Sequence, residues 1–151
     1  MDELDNAIVR FLQQNGRIPF TEISQNLDVS EGTIRNRVSR LLEEGIVRIV
    51  GIADPAKMGY SIAAVIAVYI QGVKVVEIAA KIAAVPEVSD VLMVSGEFDL
   101  LVQLYCRDSE HLTTFIGNTL RTIPGVTHTQ TFVVMKTFKA SSNLRPIDGS
   151  S

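Results

Sequence analysis

The first third of the chain has apolar residues at helical spacing in three successive segments. Residues 2–15 have one stripe, formed by Leu4, Ile8, Phe11 and Leu12. A second helix is expected to begin near Pro19, which is tolerated at the first helical position, and residues 26–29 form a turn after it. Residues 30–45 repeat the stripe with Ile34, Val38, Leu41 and Leu42. This periodicity indicates amphipathic helices packed around a small core.

The third helix has a second side that is polar and contains arginines. Ser30 is a favoured N-cap and Gly45 a favoured C-terminal stop, so both ends are defined. No acidic residue lies between Gly32 and Leu42, and this side is therefore expected to be locally cationic. A cationic helix that follows another helix after a short turn is typical of a DNA-binding helix-turn-helix. The candidate DNA contacts are Ser30, Thr33, Arg35, Asn36, Arg37 and Arg40. A generic three-helix bundle is the alternative.

From residue 61 the hydrophobic period becomes that of strands separated by helices. Strands are predicted at residues 62–70, 88–94, 100–106 and 126–138. Helical stripes occur between them, at Val75, Ile78, Ala79 and Ile82, and at Leu112, Phe115, Ile116 and Leu120. The order βαββαβ predicts a ferredoxin-like domain with two helices on one face of an antiparallel sheet. The fold class is therefore α+β, with a helix-turn-helix domain followed by a ferredoxin-like domain.

The boundaries follow from composition. The helix-turn-helix domain is expected to span residues 1–52, and its β-branched segment at 46–53 is predicted to be a strand that leaves the helices. Asp54, Pro55 and Gly59 indicate a hinge at residues 53–60. The ferredoxin-like domain then covers residues 61–139. Residues 140–151 are small, polar and interrupted by proline and glycine, which predicts a flexible tail.

The first predicted strand of the ferredoxin-like domain is apolar on both faces. Ile62, Ile66 and Ile70 alternate with Val65 and Tyr69, whereas a strand with one face in water alternates apolar and polar residues. Helices are expected on only one face of this sheet. An uncovered apolar face usually marks an interface, so we expect the open face to pack against another subunit.

Composition sets limits on the class of protein. Of the 151 residues, 46% are hydrophobic, and the net charge is −3, so any nucleic-acid site must be a local patch. The single cysteine, Cys106, excludes an intramolecular disulfide. No signal sequence or long apolar run is evident, and the expected location is cytoplasmic. Neither His111 nor His128 forms a metal-ligand spacing with Cys106, so no metal and no cofactor are expected.

These motifs together resemble the Lrp/AsnC (feast/famine) family of transcription regulators over about residues 1–139. The specific features are Leu4-Asp5, the run Ser30-x-x-Thr33-x-x-x-Arg37-x-x-x-Leu41 followed by Gly45-Ile46-Val47, and the turn Gly96-x-x-Asp99. Two positions depart from the family pattern, because Ser24 replaces the usual Ala and Asp28 the usual Gly. Asp tolerates left-handed backbone better than most residues, so we still predict a turn at this position.

The resemblance implies a regulator that binds double-stranded DNA as a homodimer, often assembled to an octamer, at a pseudo-palindromic site. It also implies that an amino acid binds at a subunit interface in the C-terminal domain. The turn offers backbone N–H groups to a carboxylate and an acidic side chain to an ammonium group. The candidate effector contacts are Gly96, Glu97, Phe98, Asp99, Thr129 and Thr131, the threonines facing the turn of a neighbouring subunit. Glycine and threonine are also ordinary turn and strand residues.

Two other functions are compatible with parts of this pattern. Siroheme decarboxylases are similar to the family in both domains, but they rely on histidine and basic residues around a tetrapyrrole, and only His111 and His128 are present here. We therefore expect no enzyme activity and no catalytic residue. The second alternative is a ligand-binding or oligomerisation module that no longer touches DNA. Acidic residues outnumber basic ones among residues 1–52, which favours that alternative, whereas Arg35, Arg37 and Arg40 oppose it.

Overall fold

A computed structural model of the chain describes residues 1–139. They form two compact units, residues 1–52 and residues 53–139, so the segment predicted as a hinge groups with the second unit. The predicted tail lies outside the described residues. Within the described residues, no helix is long and apolar enough to cross a membrane.

The first unit contains the three predicted helices, α1 (Glu3–Gln14), α2 (Phe20–Leu27) and α3 (Glu31–Glu43). Their apolar stripes meet in a core formed by Ile8, Val9, Leu12, Ile23, Ile34, Val38 and Leu41. Asp28 ends α2 in the left-handed conformation, with φ 53° and ψ 46°, and Gly45 follows α3 at φ 70°. The turn between α2 and α3 is thus three residues long, as in a helix-turn-helix.

The exit strand predicted at residues 46–53 is wrong for the described chain. These residues form no strand, because a strand needs a hydrogen-bonding partner and no other segment of the described unit pairs with them. Ile49 instead lies beside Gly16, just after the end of α1, and a Cβ added to Gly16 would be 3.2 Å from Ile49 Cγ2. The apolar side chains beyond it are exposed, up to 90% at Ile52. The hydrophobic, β-branched composition favoured a strand here, but it gave no information on which segment would pair with that strand.

The second unit is built from β1 (Ile62–Ile70), α4 (Val75–Ala83), β2 (Val88–Met93), β3 (Leu100–Cys106), α5 (Ser109–Thr114) and β4 (Val126–Val133). Its strands form a four-stranded antiparallel sheet in the order β2-β3-β1-β4. The βαββαβ prediction is confirmed, with two differences. The second helix changes to a π-helix over Phe115–Leu120, and the last strand ends at Val133 instead of residue 138.

One face of this sheet packs on the helices. Ile66 and Val102 pair across β1 and β3 and are buried with Ile78, Ile82 and other apolar side chains. Cys106 is also buried in this core, and burial is the main reason that the pKa of its thiol is raised. The apolar stripe predicted for α4 therefore packs on this face of the sheet.

The opposite face of the sheet has no covering element within the described residues of this unit. Residues paired in register have side chains on the same side of a sheet. Val65 pairs with Phe132 of β4, and Leu101 pairs with Leu92 of β2. Both Leu92 and Phe132 are exposed. We call the side chains of Ala63, Val65, Ala67, Tyr69, Leu92, Leu101, Tyr105 and Phe132 the open sheet face.

Candidate DNA interface and effector site

The start of α3 is fixed by its own first residues. Ser30 Oγ accepts the Thr33 backbone N–H at 3.1 Å, and the two hydroxyl groups lie 2.8 Å apart. Ser30 thereby satisfies one of the N–H groups that a helix start leaves without an intrahelical partner. The prediction of an N-cap is confirmed, and any DNA contact by Ser30 or Thr33 would have to share these atoms with the cap.

Arg37 and Arg40 extend from α3 to the first turn of α1. Arg37 Nη1 contacts Asp2 and lies 3.1 Å from Asp5 Oδ1, and Arg40 Nη2 lies 2.6 Å from Asp5 Oδ2. Asp5 is only 1% exposed, whereas the side chains of Arg37 and Arg40 are 30% and 44% exposed. We call Asp2, Asp5, Arg37 and Arg40 the acid–arginine cluster.

The two acids of this cluster also cap α1. Asp2 Oδ1 accepts the Asp5 N–H at 2.9 Å, and Asp5 Oδ2 accepts the Asp2 N–H at 3.0 Å, which is a capping box. The Asp5 backbone N–H, followed by Arg37, lowers the pKa of Asp2 to about 2. The carboxylates of Asp2 and then Asp5 raise the pKa of Arg37. The Asp2 carboxylate and the Arg37 guanidinium are therefore both charged at neutral pH.

Arg35 lies apart from that cluster. It donates to Glu31 Oε1 at 2.7 Å, and its guanidinium carbon lies 5.5 Å from the centre of the Phe20 ring on α2. A cation above an aromatic ring is attracted to it, so Arg35 connects α2 with α3. Asn36 is exposed, and by helical spacing it lies near Thr33, Arg37 and Arg40.

Sequence reasoning missed the acids of the cluster. The absence of acidic residues between Gly32 and Leu42 indicated a cationic side, yet Asp2 and Asp5 at the start of α1 and Glu31 in the first turn of α3 pair with three arginines. Local spacing cannot show a pairing that spans more than thirty residues. The one signal in the sequence was an acidic pair at the start of α1, which helix capping already explains.

The Gly96–Asp99 turn is tied to the end of β1. The Asp99 N–H donates to Val68 O at 3.0 Å, and Asp99 Oδ2 accepts the Ile70 N–H at 2.7 Å. Gly96 has φ 146°, a backbone conformation that favours glycine. Glu97 is exposed, and the Phe98 ring packs edge-on against Tyr69, with ring centres 6.0 Å apart. The turn is thus rigidly placed, and one oxygen of Asp99 has a structural role.

Thr129 and Thr131 lie away from this turn. They pair with Val68 and Ile66, so their side chains are on the helix-covered side of β4. Because β1 lies between β3 and β4, about two inter-strand spacings, or ~10 Å, separate Thr129 from the start of β3. Thr129 instead lines a cavity of about 250 Å³ with Arg121, Val126, Thr127 and His128. The six candidate effector contacts are not brought together within one chain.

The two histidines have other neighbours. His111 Nε2 lies 3.1 Å from Glu87 Oε1, and its Nδ1 accepts the Arg107 N–H at 3.3 Å. His128 packs against Tyr69, with ring centres 5.2 Å apart. In the part of the chain that the structure describes, no three His, Cys, Asp or Glu side chains are grouped so as to hold a metal ion.

The sequence matches two family models. Residues 1–42 match the AsnC-type helix-turn-helix domain, and residues 63–144 match the Lrp/AsnC ligand binding domain. A relative named HTH-type transcriptional regulator FL11, from Pyrococcus horikoshii, is 36% identical over 95% of both chains. Another, HTH-type transcriptional regulator Ptr1 from Methanocaldococcus jannaschii, is 32% identical over 95% of this chain and 98% of its own.

Solved structures agree with these matches. A transcriptional regulator of Neisseria meningitidis in complex with L-Met has a TM-score of 0.89 and 29% identity, over 95% of this chain and 96% of its own. AsnC of E. coli also has a TM-score of 0.89, with 25% identity over 97% and 99% of the two chains. With a helix-turn-helix unit, a four-stranded ligand-binding domain and relatives named as transcriptional regulators, the chain belongs to the Lrp/AsnC family of DNA-binding transcription regulators.

Proposed function

We propose that this regulator binds double-stranded DNA as a homodimer through the exposed side of α3, and that an amino acid bound at a subunit interface controls it. The observation that carries this proposal is the three-residue turn between α2 and α3, with Asp28 in the left-handed conformation. That turn leaves one side of α3 packed on the core and the other exposed. A recognition helix needs this arrangement to enter the major groove.

The proposed DNA contacts are divided by exposure. Asn36 is exposed and can bond adenine through its amide group, whereas Arg37 and Arg40 can bond phosphates or guanine. Ser30 and Thr33 contribute to the phosphate contacts from the helix start, and Arg35 contributes mainly through its position between α2 and α3. Two-fold pairing predicts a pseudo-palindromic site with half-sites ~10 base pairs apart, or a multiple of that distance.

The substitution Asn36→Ala tests the interface. We expect it to lower affinity for a duplex selected from a random pool by the wild-type protein, and to relax the base preference at one position of each half-site by roughly tenfold. Gln14→Ala, at an exposed position of α1, is the control and should leave binding unchanged. Equal affinity of the Asn36 variant and the wild type for matched and mismatched duplexes would exclude Asn36 as a base contact.

Salt dependence separates DNA binding from the alternative of a module without it. The acid–arginine cluster favours that alternative, because its charges cancel. Phosphate contacts release counterions, so log K for a DNA-binding protein must fall linearly with log salt. Fluorescence anisotropy at several salt concentrations measures this slope. The absence of binding at low salt would contradict the proposed function.

The proposed effector is an amino acid. The turn at Gly96 offers backbone N–H groups to the carboxylate, and Asp99 and Glu97 offer negative charge to the ammonium group. The complex of the Neisseria meningitidis regulator with L-Met supports this class of ligand. Because Thr129 and Thr131 lie away from the turn of their own chain, we propose that they complete the pocket of a neighbouring subunit.

Asp99→Asn is the variant that tests the effector site. The amide oxygen can still accept the Ile70 N–H, so the turn is kept while the charge is removed. In a thermal-shift assay against the twenty amino acids, we expect a response for at least one by the wild type and none by Asp99→Asn. Glu110→Gln, at an exposed position of α5, is the control and should respond normally. A normal response by the Asp99 variant would show that the charge of Asp99 is not needed for effector binding.

A second copy of the chain is the proposed partner of the open sheet face, with assembly of dimers to an octamer. Filling a pocket between subunits can shift assembly, or the spacing of the DNA-binding units, only if the amino acid binds the two states with different affinity. We propose no catalytic role and no cofactor for this chain.

A further inference from the structure

The acid–arginine cluster contains one buried acid and one exposed acid. Asp5 is 1% exposed and contacts both arginines, whereas Asp2 is 53% exposed and contacts only Arg37. Each oxygen of Asp5 has its own guanidinium partner, Oδ1 with Arg37 and Oδ2 with Arg40. The buried carboxylate therefore determines where both guanidinium groups lie.

A buried carboxylate is maintained only where it is paired and hydrogen-bonded. Asp5 meets this condition with Arg37, Arg40 and the Asp2 N–H. An arginine side chain has much rotamer freedom, and a partner that holds its planar group in advance reduces the entropy lost on binding. Each arginine uses one terminal nitrogen here, and a guanidinium has five N–H donors, which leaves others for a phosphate.

We infer that Asp5 is a positioning residue for DNA binding, which orients Arg37 and Arg40 on α3 without touching the DNA itself. This inference rests on the proposed function, because it requires that the two arginines contact DNA. It assigns to α1 a part of the DNA-binding surface. The orientation comes from a helix that precedes the helix-turn-helix.

The alternative is that Asp5 only caps α1. Capping requires an oxygen that accepts the Asp2 N–H, which an asparagine also provides. Holding two cations requires the negative charge. Asp5→Asn therefore keeps the capping acceptor and removes the charge, and Asp2→Asn is the matched control, because it removes the exposed acid of the same capping box.

The experiment measures binding to a duplex selected by the wild-type protein, by fluorescence anisotropy at several salt concentrations, at a temperature where circular dichroism shows each variant folded. We expect Asp5→Asn to lower affinity at least about tenfold and to reduce the salt slope by roughly 1 to 2, because each phosphate that an arginine no longer binds reduces it by about 1. Asp2→Asn should bind as tightly as the wild type or more tightly. If Asp5→Asn retains the wild-type affinity and slope, the inference is wrong.

A double-mutant cycle separates positioning from general folding. In a protein with Arg37→Gln and Arg40→Gln, the addition of Asp5→Asn should cause no further loss of affinity. An undiminished additional loss would show that Asp5 acts independently of the arginines and would overturn the inference. Wild-type protein that binds no duplex at low salt would instead contradict the proposed function. If the wild type binds DNA, the arginine variants bind it more weakly and Asp5→Asn binds it normally, only the role of Asp5 is contradicted.

NMR relaxation of the arginine Nε–H groups tests the same point without any substitution. In the DNA-free wild type, we expect Arg37 and Arg40 to be ordered on the picosecond to nanosecond timescale and the exposed Arg48 to be mobile. Equal mobility of the three side chains would contradict positioning by Asp5, even if Asp5→Asn failed to fold.

Discussion

The two candidate sites differ in how complete they are within one chain. On α3, Arg37 and Arg40 already have a partner, since the buried Asp5 of α1 contacts both guanidinium groups. In the second unit, the Gly96–Asp99 turn and Thr129 lie on different sides of β1, and Thr129 faces the helix-covered side of the sheet. A site assembled within one chain can be preorganised before DNA arrives. A site whose parts lie apart is completed only when subunits assemble, so effector binding and subunit assembly are expected to be coupled.

The strongest test of this difference is a charge on the open sheet face. Phe132→Asp places an unpaired carboxylate on a face that we expect to be buried in both copies of a dimer. Burial of unpaired charge is costly, and a cost of ~4 kcal/mol raises the dissociation constant about 10³-fold. Sedimentation measures the effect.

Val133→Asp is the matched control. Val133 is 51% exposed, close to the 47% of Phe132, but it pairs with Ala64 and faces the helix side of the sheet. We expect this variant to assemble far more tightly than Phe132→Asp. If both variants assembled equally well, the open sheet face would not be the surface through which the C-terminal unit pairs with a second copy.

The next largest effect is expected from loss of the buried acid in the first unit. Asp5→Ala removes the partner of two guanidinium groups and one half of the capping box. We expect the free energy of unfolding to fall by about 3 kcal/mol, measured by urea denaturation. A loss below about 1 kcal/mol would show that the cluster contributes little to the stability of the unit.

A smaller effect is expected at the turn of the helix-turn-helix. Asp28 has φ 53°, and a residue with a Cβ but no local polar side chain is disfavoured there. Asp28→Ala should lower the free energy of unfolding by about 1 kcal/mol, while Asp28→Gly should change it by less than ~0.5 kcal/mol. The same denaturation experiment measures both, and equal losses would argue against strain at this turn.

The smallest effect concerns acid stability. The pKa of Asp2 falls from 3.8 to about 2 on folding, so the unfolded state binds more protons between these values. Stability from this group is complete above about pH 4 and decreases as the pH falls toward 2. Asp2→Asn should therefore lose less stability than the wild type over this range in pH-dependent thermal unfolding. Parallel curves would contradict the lowered pKa.

The sequence predicted best what depends on local periodicity. The stripe of α3 with its Ser30 cap, the apolar run of β1 and the βαββαβ order required only spacing and end signals, and the structure confirms them. Residues 46–53 show the limit, because β-branched composition favours a strand while pairing depends on a partner segment. The ion pairs of Asp5 with Arg37 and Arg40 depend on how α1 packs against α3. Periodicity predicts that the two helices pack together but not which of their side chains meet.

The candidate sites were predictable to different degrees for the same reason. The DNA candidates follow one another on a single helix, so helical spacing predicts that Thr33, Asn36, Arg37 and Arg40 lie close together. The effector candidates come from a turn and from a different strand. Their distance depends on strand order, and the position of β1 between β3 and β4 separates them.

The burial of Cys106 has a practical consequence. It is the only cysteine of the chain, it is fully buried, and its raised thiol pKa disfavours the reactive thiolate. A cysteine introduced on the surface, for example by Lys81→Cys at an exposed position of α4, should be modified by a maleimide or a spin label much faster. Distances between labels on two copies could then be measured in the otherwise natural chain, with and without amino acid.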